Sequence, residues 1–335
     1  MTGSMNYGRY YHSATVLTNG KVLVAGGTNN YTNTLNSAEL YDPNTGRWTF
    51  TGSMNNARSL HRSTLLNNGK VLVTGGYITG DIYVQSAELY DPTSEYWTLM
   101  GNMNSARYSH TASLLSNDKV LVTGGVFNSQ YLNTAELYDP STGMWTNVAN
   151  MNFARSYHTA CTLSNGKILV TGGDGLISTL RSSEIYDLSA NTWIMQSDMY
   201  IARKFHTASV LYNGKVLVIS GVDRITSNYN YGSELYDAST NVWTKLNNIN
   251  ASRSFHSTFV LTNDRVFIIG GQGSSGVLSS TELYDPSTGM WTPGPSMNIA
   301  RTCHTACKLT NGKILVAGGR NQMAVTLSSA EFYQT

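Results

Sequence analysis

The chain has 335 residues, of which 13% are charged, with a formal net charge of +2, against about 25% charged in an average soluble protein. That balance makes no electrostatic case for nucleic acid, and apolar runs far short of the ~20 residues of a helical span exclude a membrane helix. Three cysteines make no disulfide framework, and residues 1–15 lack the basic-then-apolar order of a secretory signal, which leaves the compartment open.

From the N-terminus onward the chain repeats one unit. Its seven histidines, His12, His61, His110, His158, His206, His256 and His304, are spaced by 49, 49, 48, 48, 50 and 48 residues. An arginine stands three residues before each (Arg9, Arg58, Arg107, Arg155, Arg203, Arg253, Arg301), and a glutamate follows in step (Glu39, Glu88, Glu136, Glu184, Glu234, Glu282, Glu331). Trp48, Trp97, Trp145, Trp193, Trp243 and Trp291 keep the same phase, and AELYDPSTGMWT (135–146) matches TELYDPSTGMWT (281–292) at 11 of 12 positions. Within the third unit, HTASLLSNDKVLVTGG (110–125) reads as two β-branched, apolar runs joined by a polar turn: strands a and b. In five units that turn is Asn-Gly before Lys, which predicts a type I′ hairpin with positive φ at both central residues. A Gly-Gly pair, a variable loop and a run such as NTAELYD (strand c) follow, then a Pro-Ser-Thr-Gly turn and a run starting at Met-Trp-Thr (strand d). No window sustains a 3.6-residue period, so the expectation is an all-β chain of four-stranded antiparallel units, a single domain over residues 1–335.

Gly124 and Gly125, then Tyr138, then Trp145, at a period near 50, resemble the kelch repeat over essentially the whole chain. The resemblance implies a seven-bladed β-propeller around a central channel. It departs once at the glycine pair, at Ser220-Gly221, and the seventh unit stops after Tyr333, before a strand d. MTGSMN (1–6) falls in phase with the segment that starts at Phe50. The first residues are therefore expected beside the last strand, closing the ring or leaving an outer edge that recruits strands of other chains.

Antiparallel order puts the b–c and d–a loops on one face and the near-uniform a–b and c–d turns on the other. The b–c loops, such as TNNYTNTLN (28–36), YITGDIYVQ (77–85) and VFNSQYLN (126–133), are rich in Asn, Ser, Thr and Tyr, residue types that suit recognition surfaces. The expected function is a non-catalytic binding or structural module, without cofactor, recognising a protein partner or its own copies through this face. Candidate contacts are the seven arginines with Tyr11, Tyr77, Tyr108, Phe127, Tyr157, Phe205 and Phe255. The resemblance implies that arginines at this place hold acidic peptide side chains in some blades. The residues themselves carry a second reading, seven buried Arg–Glu pairs, because a buried charge needs a partner. Twenty-one tyrosines and uncharged loops make carbohydrate the alternative ligand. Low charge and two sequons, Asn30-Tyr-Thr and Asn250-Ala-Ser, point to an extracellular placement, with the cytoplasm as the alternative.

One histidine per unit reads as packing, since metal ligands must converge on one ion. Cys303 and Cys307 stand about 13 Å apart along a strand, too far for a disulfide, and the G-x-G-x-x-G of Gly271, Gly273 and Gly276 has no helix after it. The kelch propeller is also the scaffold of copper radical oxidases resembling galactose oxidase. GRYYHSATVL (8–17) and RSYHTACTL (155–163) resemble their Tyr-His segment, and Cys303 holds the place that the resemblance gives to a cysteine joined to Tyr11. That family takes a further histidine from a domain after the propeller, and the chain stops at Thr335. The expectation is therefore a non-enzyme with Cys303 and Tyr11 uncrosslinked, the alternative being a copper oxidase lacking its C-terminal domain.

Overall fold

The computed structural model describes residues 2–30, 32–261 and 264–334, and contains no α-helix among them. Six antiparallel sheets of four strands and one of three follow the chain. In the third blade, strand a is Thr111–Leu114, b is Val120–Thr123, c is Ala135–Asp139 and d is Met144–Val148. Each strand a touches its counterparts on both sides, the seventh (Thr305–Lys308) against the first (Ser13–Val16), so seven of them ring a central channel. The expected seven-bladed propeller is the fold.

The pattern of each strand follows from its depth. Strand b is buried along its whole length and is accordingly a nearly continuous apolar run, VLVT in the third blade, whereas strand d near the rim buries only its tryptophan, one residue in four, in the fourth and fifth blades. Blades pack through aliphatic residues under the tryptophan of the following blade. Trp145 lies against Leu66, Leu72 and Leu89 of the second blade and donates its Nε1–H to Gly101 O at 2.8 Å.

One expectation of turn geometry is corrected. In the Asn-Gly turns only the glycine has positive φ, 81° at Gly20. Gly20 N donates to Leu17 O at 2.9 Å and Leu17 N to Lys21 O at 2.8 Å. These bonds define a three-residue loop, a type I turn closed by a left-handed glycine, in place of a type I′ turn. Asn19 stays right-handed and its Oδ1 accepts the Lys21 N–H at 3.0 Å, a bond that supports the turn without a second positive φ.

The glycine pair joins blades. Gly125 N donates to Arg155 O of the next blade at 2.8 Å, and the same bond recurs around the ring to Gly319 N on Arg9 O at 2.8 Å. A Cβ on Gly124 would stand 2.4 Å from Arg155 O. Ser220 takes the place of that glycine at φ 57°, and its hydroxyl accepts Arg253 N–H and donates to Asn230 O. The ring is thus closed at its centre by the bonds that join every other pair of blades. At the rim, Thr2 N reaches Ala330 O, Met5 N reaches Ser328 O, and Trp48 donates to Gly3 O, so the N-terminal segment lies where other blades have the end of strand d. Met1 and Thr335, expected in the same seam, lie outside the described residues. At the preceding junction a cavity of about 580 Å³ lies between the sixth and seventh blades, lined in part by Leu261, Phe267 and Leu283. These are the counterparts of the residues that hold a tryptophan at the other junctions.

Candidate functional site

The seven arginines are placed inside the blades. Their guanidiniums have no exposed surface and meet the seven glutamates at 2.5–2.8 Å. Arg107 is typical: Nη2 bonds Glu136 Oε1, while Nη1 donates to Gly124 O and Thr134 O. Glu136 in turn accepts Asn104 N–H, Asn104 Nδ2–H and Ser105 N–H, which fastens the d–a loop onto strand c. As contacts for a partner's carboxylate the arginines are therefore corrected, because each guanidinium is buried and already paired with the glutamate of its own blade. Burial pushes the Glu88 carboxyl up, but Arg58 and Asn55 outweigh it and hold the group below its usual value.

The residue before each histidine sits in the left-handed region: Tyr11, Leu60, Ser109, Tyr157, Phe205, Phe255 and Cys303, at φ 52–56°. That conformation costs a non-glycine residue roughly 1–2 kcal/mol, and here it turns seven side chains toward the axis. Six backbone bonds link them in sequence around the ring, from Leu60 N on Tyr11 O to Tyr11 N on Cys303 O. Phe205 stacks on Phe255 with centroids 3.9 Å apart, Tyr157 meets Phe205 at 4.4 Å and Tyr11 meets Phe255 at 5.9 Å. Four of the predicted contacts thus form one aromatic cap over the channel, at the end facing the b–c loops. Tyr11 lies within hydrogen-bonding reach of Cys303 across the seam, and burial pushes that thiol up to about 11.

Below the cap the histidines clasp neighbouring blades. His61 Nε2 hydrogen-bonds Ser13 Oγ at 2.8 Å, His158 and His206 bond Thr111 and Thr159, and His12 bonds Thr305 across the seam at 2.7 Å. Burial holds these imidazoles below their ordinary value, His304 at about 3.

Tyr77 and Phe127 lie on the b–c loops, Tyr108 at the mouth beside them. Tyr77 meets Tyr108 at 5.4 Å, and Tyr83, which sequence reasoning missed, stacks on Tyr108 at 5.9 Å and meets Phe127 edge-on at 5.5 Å. Next to this cluster Tyr131 donates to Asp174 Oδ2, which also pairs with Lys204 Nζ at 2.8 Å, while Arg224 donates to the Tyr131 hydroxyl. Asp174 follows a Gly-Gly pair where other units carry Thr28, Tyr77, Val126, Val222, Gln272 or Arg320, a departure that aligning the units exposes. Asn250 of the second sequon donates its Nδ2–H to Glu282 Oε2 at 2.8 Å, the same bond that Asn104 makes to Glu136. Tyr31 of the first sequon lies outside the described residues. No three His, Cys, Asp or Glu side chains gather as a metal site among the described residues.

A family model described as the KLHDC2/KLHL20/DRC7 Kelch-repeats domain matches residues 1–173 and again 89–260, and a Kelch motif model matches 253–298. No curated protein matches the chain. Among solved structures, a novel fungal alcohol oxidase of the AA5 family, in complex with copper, is similar at a TM-score of 0.80 and 19% identity. The similarity covers 99% of this chain and 75% of that one, and at that identity it is a likeness of fold.

Proposed function

This chain belongs to the kelch-repeat family, and on that footing we propose that it is a non-catalytic binding module that recognises a protein partner, or its own copies, through the b–c and d–a loop face. One observation carries the reading: on a scaffold that repeats itself, the Tyr77, Tyr83, Tyr108 and Phe127 cluster and the adjoining Asp174, Lys204 and Arg224 occur on two neighbouring parts of one face. Rigid aromatic anchors beside charged groups are the usual core of a protein-recognition surface. The test compares the wild type with Tyr77→Ala/Phe127→Ala and with a control altered at Asn117 and Lys119 on the opposite face. Crosslinking in native extract and sedimentation of the purified chain should lose complexes only in the first variant; loss only in the control would overturn the reading.

Carbohydrate is the second reading, favoured by the near-parallel Tyr83 and Tyr108 rings, 18° apart, which resemble a platform for a sugar ring. Glycan-array binding that disappears with Tyr83→Ala would select it over protein. The copper oxidase reading has one contact in its favour, Tyr11 beside Cys303. The residues do not fit the metal, however: among the described residues no three His, Cys, Asp or Glu side chains converge there, and His12 and His61 Nε2 already hold hydroxyls, which leaves His304 Nε2 alone without one. Peptide mapping after exposure to copper and oxygen should therefore recover Tyr11 and Cys303 in separate peptides; a joined peptide would reinstate that chemistry.

A further inference from the structure

Arg62 is the departure in the ring of channel residues. It opens strand a of the second blade (Arg62–Leu65), at the position held elsewhere by Ser13, Thr111, Thr159, Thr207, Ser257 and Thr305. In five of those blades the hydroxyl bonds the histidine of the next blade. Without that hydroxyl, His110 turns to Thr74 Oγ1 at 2.9 Å.

The guanidinium is anchored at one point, Nε donating to His110 O at 2.8 Å. None of the ion pairs among the described residues includes it. The side chain is solvent-accessible yet surrounded by protein, because it stands in the channel and not on the outer surface. It borders both channel cavities: one of about 270 Å³ with Tyr157 and Ser109, and one of about 380 Å³ lined by Thr111, Thr159, Thr207 and Ser257. Among the described residues no carboxylate lines either. Among the described residues Arg62 is the one Arg, Lys, Asp or Glu side chain that lines these two cavities. A guanidinium held through Nε in a hydroxyl-lined channel is matched by a planar or tetrahedral oxyanion, which a guanidinium can grip through two parallel bonds.

We propose that the channel is an anion site, with Arg62 as its anchor and the surrounding hydroxyls as secondary donors, for a small oxyanion or carboxylate. This site lies under the aromatic cap and is independent of the reading given to the loop face.

The test uses the full chain with inorganic phosphate, sulfate and acetate as probes, at constant ionic strength set by chloride. Thermal melting and titration calorimetry are read for the wild type, Arg62→Thr and Arg62→Lys. Threonine is the residue of four other blades and restores the hydroxyl for His110, so that variant should fold. Phosphate or sulfate should raise the wild-type melting temperature and bind with measurable heat. Affinity should fall roughly tenfold or more in Arg62→Thr, the size of one lost charge-assisted bond, and less in Arg62→Lys. An equal response in wild type and Arg62→Thr, or no oxyanion response above chloride, would overturn the proposal. A response to acetate alone would restrict the site to carboxylates.

Discussion

Glu136 shows what one residue does for a blade. Its carboxylate is buried, and replacement by Ala would leave Arg107 charged and unpaired, a change that costs about 3–5 kcal/mol. Denaturant unfolding of Glu136→Ala should show that loss, with Glu136→Gln falling between, since an amide keeps some of the acceptors but not the charge. The histidines make a second prediction. Burial lowers their folded-state values, so the unfolded chain binds protons first as pH falls. Their stabilising contribution is complete above about pH 6.5, the unfolded value, and is lost progressively below it toward the folded values. Melting temperatures measured from pH 8 to 4 should be level and then decline below about 6.5; a plateau down to pH 4 would mean that the clasps accept protons in the folded state.

At the scale of the element, the glycine pair is the joint between blades. Gly124→Ala would drive a Cβ onto Arg155 O, a backbone oxygen that cannot swing aside, and should cost several times more than Ser220→Gly. In the fifth blade the serine already tolerates a left-handed φ, so Ser220→Gly loses chiefly the bonds to Arg253 N and Asn230 O, on the order of 1–2 kcal/mol. Equal effects in urea melts would contradict the contact. The tryptophan junctions offer the companion measurement. Leu163 is packed with Trp243, and Leu163→Ala should cost about 2–5 kcal/mol. Its counterpart Leu261 borders the open cavity between the sixth and seventh blades, so Leu261→Ala should cost clearly less.

For the whole molecule, closure is the property to test. The centre of the last junction repeats the bonds of the others, Gly319 N on Arg9 O and His12 on Thr305, while the rim depends on residues 2–6. Deleting residues 1–6 removes Met5 from the core and Asn6 from Glu39. Stability should fall and amides of 330–333 should exchange faster, with light scattering reporting whether the uncovered edge recruits a second chain. Unchanged exchange and unchanged mass would show that the central bonds alone close the ring.

Much of this was legible in the repeat. The phase of His, Arg, Glu and Trp marks seven like units and the strand order within each, the resemblance to the kelch repeat implies their closure into a ring, and the need to neutralise a buried charge pairs each Arg with its Glu. The b–c loops were recognisable as the variable face by comparison of the units. What the sequence left undecided depends on contacts between blades. The cap of Tyr11, Tyr157, Phe205 and Phe255 exists because left-handed backbone turns residues of separate units onto one axis, and Tyr83, paired with Tyr77 across their own loop hairpin, meets Tyr108 only when the second and third blades stand side by side. Arg62 is visible in an alignment of the units as an exception, but that no carboxylate among the described residues lines the cavities beside it is a fact of the channel. Local pattern determines which groups a unit must bury; ring closure decides which units face one another, and so where polar groups are left to meet a ligand.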